Sequence, residues 1–195
     1  KAIDALLPRN IEAAEKIIRS DNEVDQLEID IEENCLKILA LHHPVANDLR
    51  FIVAILKMNN DLERMGDIVG SIAKRARFLS RREPVEWPLD LEGFAADVRV
   101  MVDGALSALV SADPEKARQV CGRDDVVDVR KREMIVALRK MLETQQDKAP
   151  ILLKMIDVPR HLERIADLAT NIAEDVIYMV EGNIVRHGRA EEEEG

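Results

Sequence analysis

A chain of 195 residues can bury a sizeable core, as one large domain or two small ones. With 47% hydrophobic but only 3% aromatic residues, that core must be built from Leu, Ile, Val, Met and Ala, a helix-bundle composition. A formal net charge of -10 repels a phosphate backbone, which argues against nucleic-acid binding and favours cations and basic protein surfaces as partners.

In chain order, Pro8 interrupts the first helical stretch. SDNE at 20–23 reads as a capping signal opening a second helix, whose apolar seam runs through Val24, Leu27, Ile31, Cys35 and Ile38 to a break at His43 and Pro44. From Ile55 the residues Met58, Leu62, Met65, Val69, Ile72, Ala76 and Leu79 step by three and four in alternation, a seam of a/d type. Residues 83–88 form the next break. A helical stretch from about residue 88 to 107 follows, with interruptions at Asp113-Pro114 and Gly122. After Ala149-Pro150 the long seam returns as Val158, Leu162, Ile165, Ala169, Ile172, Val176 and Met179. No stretch shows sustained strand alternation, so the chain is predicted to be all-α.

Two of these stretches are near copies: LERMGD begins at Leu62 and LERIAD at Leu162. At the same offset of 100, Ile72 and Ala73 fall on Ile172 and Ala173; at an offset of 103, Ala5, Leu6, Glu12, Ala14, Asp21 and Asp25 fall on Ala108, Leu109, Glu115, Ala117, Asp124 and Asp128. This is a duplicated unit of roughly 100 residues with a three-residue slip in a loop. The predicted units are 1–82, whose first helix is incomplete, and 88–187, followed by an acidic tail at 188–195. Each reads as three antiparallel helices, the first interrupted. The offset places the natural start of the first unit about 15 to 20 residues before Lys1.

The duplication preserves acids. On an ideal wheel Glu63, Asp67 and Ser71 lie about 100°, 140° and 180° from Leu62, away from the seam, and Glu163, Asp167 and Asn171 lie at the same angles from Leu162. Carboxylates four residues apart repel each other, so a helix gains nothing from such a pair unless positive charge sits nearby. Asp21 with Asp25, and Asp124 with Asp128, add a second such pair per copy on the neighbouring helix. If the helices align, four acids converge in each half into an oxygen-only site suited to iron, manganese, magnesium or calcium. The alternatives are that Asp21 and Asp124 are helix N-caps and that Glu63 and Asp67 belong to a solvated face.

Little points to catalysis. His42 and His43 suit a helix C-terminus, His161 does not share the Glu163 face, and His187 lies near the tail. No ExxH pair, GxSxG, Walker loop or dinucleotide-binding glycine pattern occurs. Cys35 and Cys121, inside apolar pattern without metal spacing, read as small hydrophobes in a reducing compartment. With no signal peptide or membrane-length apolar run, the reading is cytoplasmic. The basic run KRARFLSRR at 74–82 is either a solvated helix C-terminus or a docking patch for an acidic partner.

The segments 27–76 and 161–187, together with the duplication, resemble the PhoU family of phosphate-signalling regulators. The resemblance implies two pseudo-symmetric three-helix bundles whose (E/D)xxxD motifs bind metal clusters in some members, iron foremost or another divalent cation, with no organic cofactor. Here those motifs match Asp21, Asp25, Glu63, Asp67, Asp124, Asp128, Glu163 and Asp167; Asn171 extends the second site, where the first has Ser71. It further implies a negative regulator of the phosphate-starvation response, linking the ATPase subunit of a phosphate ABC transporter to a PhoR-type sensor histidine kinase. Membrane contact would then come only through partners, and a homodimer stays open. The alternative from another class is a metal-storage or metal-buffering helical protein.

Overall fold

The computed structural model describes residues 1–182 apart from the side chain of Asp21; the tail at 188–195 and His187 lie outside the described residues. The helices are α1 (Ala2–Leu6), α2 (Ile11–Arg19), α3 (Asp21–His42), α4 (Asn47–Ser80), α5 (Leu91–Ser111), α6 (Pro114–Cys121), α7 (Asp124–Thr144) and α8 (Ala149–Glu181), with one 3₁₀ turn at Gln146–Lys148. Among the described residues there is no strand, and no helix is long and apolar enough to cross a membrane.

The interrupted first helices appear as α1 with α2 and as α5 with α6, in each case restarted by a cap. Asn10 accepts a hydrogen bond from the Ala13 amide, and Asp113 accepts from the amides of Glu115 and Lys116. These two caps are themselves 103 residues apart, a repeat feature hidden in the sequence by the Asn/Asp exchange. The predicted SDNE capping box does not form. Ser20 has helical backbone angles (φ -76°, ψ -4°), not the extended ones a capping side chain needs, and its hydroxyl donates back to the Ile17 carbonyl at 2.9 Å. Asp21 and Asp124 are the first residues of α3 and α7 rather than their N-caps.

Two long helices organise the rest. α4 packs against α1, α2 and α3; α8 packs against α5, α6 and α7; and α4 and α8 pack against each other. Lys57 pairs with Asp175 at 3.4 Å and Arg75 with Asp157 at 3.3 Å, which fixes α4 and α8 as antiparallel neighbours. Their predicted seams form the core, where Met58, Ile72, Leu152, Met155, Ile172 and Ile177 meet Phe94, Met101 and Leu138 from α5 and α7. α8 passes through Pro159, which removes the amide that would reach the Met155 carbonyl. Burial of Val158, Pro159 and Leu162 among the surrounding helices holds the rod together there.

The seam expected on α3 is only partly realised: Cys35 is 5% exposed, but Leu27, Ile31 and Ile38 are 60%, 38% and 39% exposed. α3 rests mainly on α4, whereas its counterpart α7 also meets α5, whose Asp97 pairs with Arg130 at 2.8 Å. The apolar stripe therefore exists, but one flank of it has no covering helix among the described residues. Both cysteines are free thiols; burial, followed by the charge of Glu174, pushes Cys121 up to about 11, leaving it inert at neutral pH.

Candidate functional site

The acids predicted on α7 and α8 come together. Asp124 and Asp128 lie on the first turns of α7, facing Glu163 and Asp167 midway along α8. The ammonium of Lys131, one turn further along α7, stands 2.9 Å from Asp128 Oδ1 and 2.6 Å from Glu163 Oε1, and Asp124 accepts a hydrogen bond from Thr170 at 3.4 Å. Burial alone would lower the Lys131 pKa, but the bonds to Glu163 and Asp128 outweigh it and raise it. Asp167 has no hydrogen bond of this kind among the described residues, and Lys131 offsets its shift only in small part. Partial burial, then the charges of Glu163, Asp124 and Asp128, push its carboxyl up to about 6. Asp124 is raised by burial and by Asp128.

The same helix pair in the first repeat is α3 on α4. Gly66 allows the close approach, since a Cβ there would stand 3.2 Å from Val24 Cγ1 of α3. Glu63 is raised by burial, then by Asp67, Asp25 and Glu28, with Arg64 acting in the opposite sense. Asp25, Glu63 and Asp67 are thus neighbours, while the side chain of Asp21 lies outside the described residues. The two sites differ at one informative place. At the 103-residue offset Lys131 falls on Glu28, so the second cluster carries its own counter-ion where the first carries another acid.

Asp67 and Asp167, from the two repeats, line one recess of about 430 Å³ between α4 and α8, together with Ser71, His161, Arg64 and Arg164. Asn171 lines an adjoining recess with Asp61, Asp175, Lys57 and Arg64. His161, set aside in the sequence, lines the first recess with both ring nitrogens buried and unbonded among the described residues, its pKa lowered by burial and then by Arg75.

The donor set is carboxylate oxygen, which suits a hard cation, and the raised pKa values record burial first and then negative charge that neighbours only partly offset. As packed, no group of three or more His, Cys, Asp or Glu side chains among the described residues could hold a metal ion. The second cluster is instead occupied by Lys131.

Sequence reasoning missed Lys131 and the buried carboxylates Asp61 and Asp175. Lys131 had a signal, being three residues after Asp128 on a helix. Asp61 had one too, standing directly before the seam residue Leu62.

Asp167 sets a test of this electrostatics. Its folded pKa of about 6 exceeds the usual carboxylate value near 3.9, so the folded state binds the extra proton, and stability falls as pH rises from about 4 to 6. Asp167→Asn is expected to be more stable than the parent at pH 7, by under about 1 kcal/mol because the side chain is only partly buried and solvent screens its charge. The difference should close by pH 4 in urea unfolding; a pH-independent difference would refute the raised pKa of Asp167.

Comparison with known proteins gives one consistent outcome. A family profile described as "PhoU domain" matches residues 1–76 and 91–176, one match per repeat. The chain is 39% identical over 196 aligned positions to the phosphate-specific transport system accessory protein PhoU homolog of Aquifex aeolicus, covering 98% of this chain and 87% of that one. It is 35% identical to the homolog of Pseudomonas aeruginosa, covering 95% and 77%. The crystal structure of PhoU from Pseudomonas aeruginosa superposes with a TM-score of 0.90 at 34% identity, over 93% of this chain and 88% of that one. That of the phosphate transport system regulatory protein PhoU from Streptococcus pneumoniae superposes at 0.87 with 31% identity, over 95% and 87%.

Proposed function

Because the chain belongs to the PhoU family of phosphate-transport accessory proteins, we propose that it is a cytoplasmic negative regulator of the phosphate-starvation response. It joins the ATPase subunit of a phosphate ABC transporter to a PhoR-type sensor histidine kinase, and its acidic helix faces take up cations. What supports the adaptor reading is the likeness across both repeats to relatives named for phosphate-specific transport. What supports cation uptake is the convergence of Asp124, Asp128, Glu163 and Asp167, with a less compensated counterpart around Glu63. The site is an open, charged surface, which suits holding ions and basic protein side chains and not enclosing a substrate.

With their side chains turned inward from the packing seen here, Asp25, Glu63 and Asp67 would hold a cation on the first repeat, and Asp128, Glu163 and Asp167 on the second. A bound ion supplies the positive charge that relieves carboxylate repulsion across the helix pair. On the second repeat Lys131 competes for Asp128 and Glu163, so the first repeat is the stronger site. The same flank, without an ion, attracts basic residues of a partner, with Lys131 displaced as a local counter-ion.

Pull-down with the intact protein from phosphate-replete and phosphate-starved cells is expected to recover the transporter ATPase and the kinase, most strongly when phosphate is high. Deletion is expected to raise phosphate-starvation gene expression severalfold in high phosphate. Unchanged expression on deletion would remove the regulatory role.

A further inference from the structure

The trough between α4 and α8 continues past the acidic recess, with Lys74 lining both parts, into a strongly basic end. There a recess of about 480 Å³ is walled by Lys74, Arg75, Arg77, Arg81 and Arg82 from the end of α4 and the turn after it, and by Lys154 from α8, with Phe78 between them. Asp157 lies 3.3 Å from Arg75 and 3.8 Å from Lys154. Lys74, Arg77, Arg81 and Arg82 make no ion pair among the described residues.

A helix C-terminus draws cations to its open carbonyls. Here Arg9, from the α1–α2 turn, already donates to the carbonyls of Leu79 and Arg82. The remaining cations are surplus to that role and repel one another across a concavity, in a chain whose net charge is -10. Arg82 stacks over the Phe78 ring at 5.1 Å, which presents a flat cationic wall.

The shape and charge select the ligand. The volume is that of a small-molecule site, and a concave wall contacted from two helices suits a compact ligand better than a flat membrane. Guanidinium forks match phosphate oxygens in bidentate pairs, and six cations call for several negative charges close together. We propose that this basic recess binds a small molecule carrying two or more linked phosphates, either a nucleoside polyphosphate or an inorganic polyphosphate chain. The site does not depend on the adaptor reading.

Calorimetric titration of the intact protein with inorganic tripolyphosphate, ATP and orthophosphate tests it, with hexaglutamate as the acidic-peptide control. Tripolyphosphate should bind at least about tenfold tighter than orthophosphate, and its affinity should fall as salt rises. ATP binding tighter than tripolyphosphate assigns the site to a nucleotide; equal affinity assigns it to the phosphate chain. The double variant Arg77→Gln, Arg81→Gln should weaken tripolyphosphate at least about tenfold, with Arg77→Lys, Arg81→Lys retaining part of it. Lys154→Gln, on the other helix, should weaken it independently, and far-UV circular dichroism confirms that each variant is folded. No tripolyphosphate binding, binding unchanged in these variants, or hexaglutamate binding more tightly would each overturn the proposal, the last by giving the surface to an acidic protein segment.

Discussion

Replacing Glu63, Asp67, Glu163 and Asp167 together by Ala is expected to abolish cation uptake by the intact protein, as read by elemental analysis after purification without chelator. The four residues supply the α4 and α8 half of each cluster, leaving only the α3 or α7 pair, and two carboxylates seldom retain an ion against water. Single-repeat variants should separate the sites. Glu163→Ala with Asp167→Ala removes the weaker component, because Lys131 already engages Asp128 and Glu163. Lys131→Gln should strengthen the second site by freeing both. Uptake there should also depend on pH. Asp167 must lose a proton to bind and has a pKa of about 6, so affinity should fall about tenfold per unit below pH 6 and level off above it. Full metal retention by the quadruple variant would refute the assignment of these residues.

Phe94→Ala is expected to be the most damaging single core change on the α5 side, costing about 3–5 kcal/mol in urea unfolding at constant pH. Phe94 is 1% exposed in the core where α5 meets α8, and truncation leaves a cavity that rigid neighbouring rods close poorly. The consequence reaches the acidic cluster. α5 steadies α7 through the Asp97–Arg130 pair, and α7 carries Asp124, Asp128 and Lys131. A loss under about 1 kcal/mol would mean that α5 is loosely docked.

The long seams of α4 and α8 were legible because steps of three and four specify a buried helical stripe, and their repetition specified the pairing of halves. The α3 seam was legible as a stripe but not as a surface. Periodicity says which face is apolar, not whether a neighbour covers it, and Leu27 shows the difference. Ser20 failed as a cap because α2 runs into α3 with no extended residue between them, a matter of backbone angles that SDNE does not encode. Pro159 would break an isolated helix, yet burial overrides it. At the site, repetition found the acids because both copies keep them. It could not find Lys131, where the copies differ in charge.

The most direct measurement is a crystal structure of the intact protein soaked with manganese, with the ions located by anomalous scattering. The account predicts peaks within coordination distance of Glu63 and Asp67 and, with Lys131 turned aside, of Glu163 and Asp167. Ions bound only elsewhere, or none beside either acid pair, would contradict it.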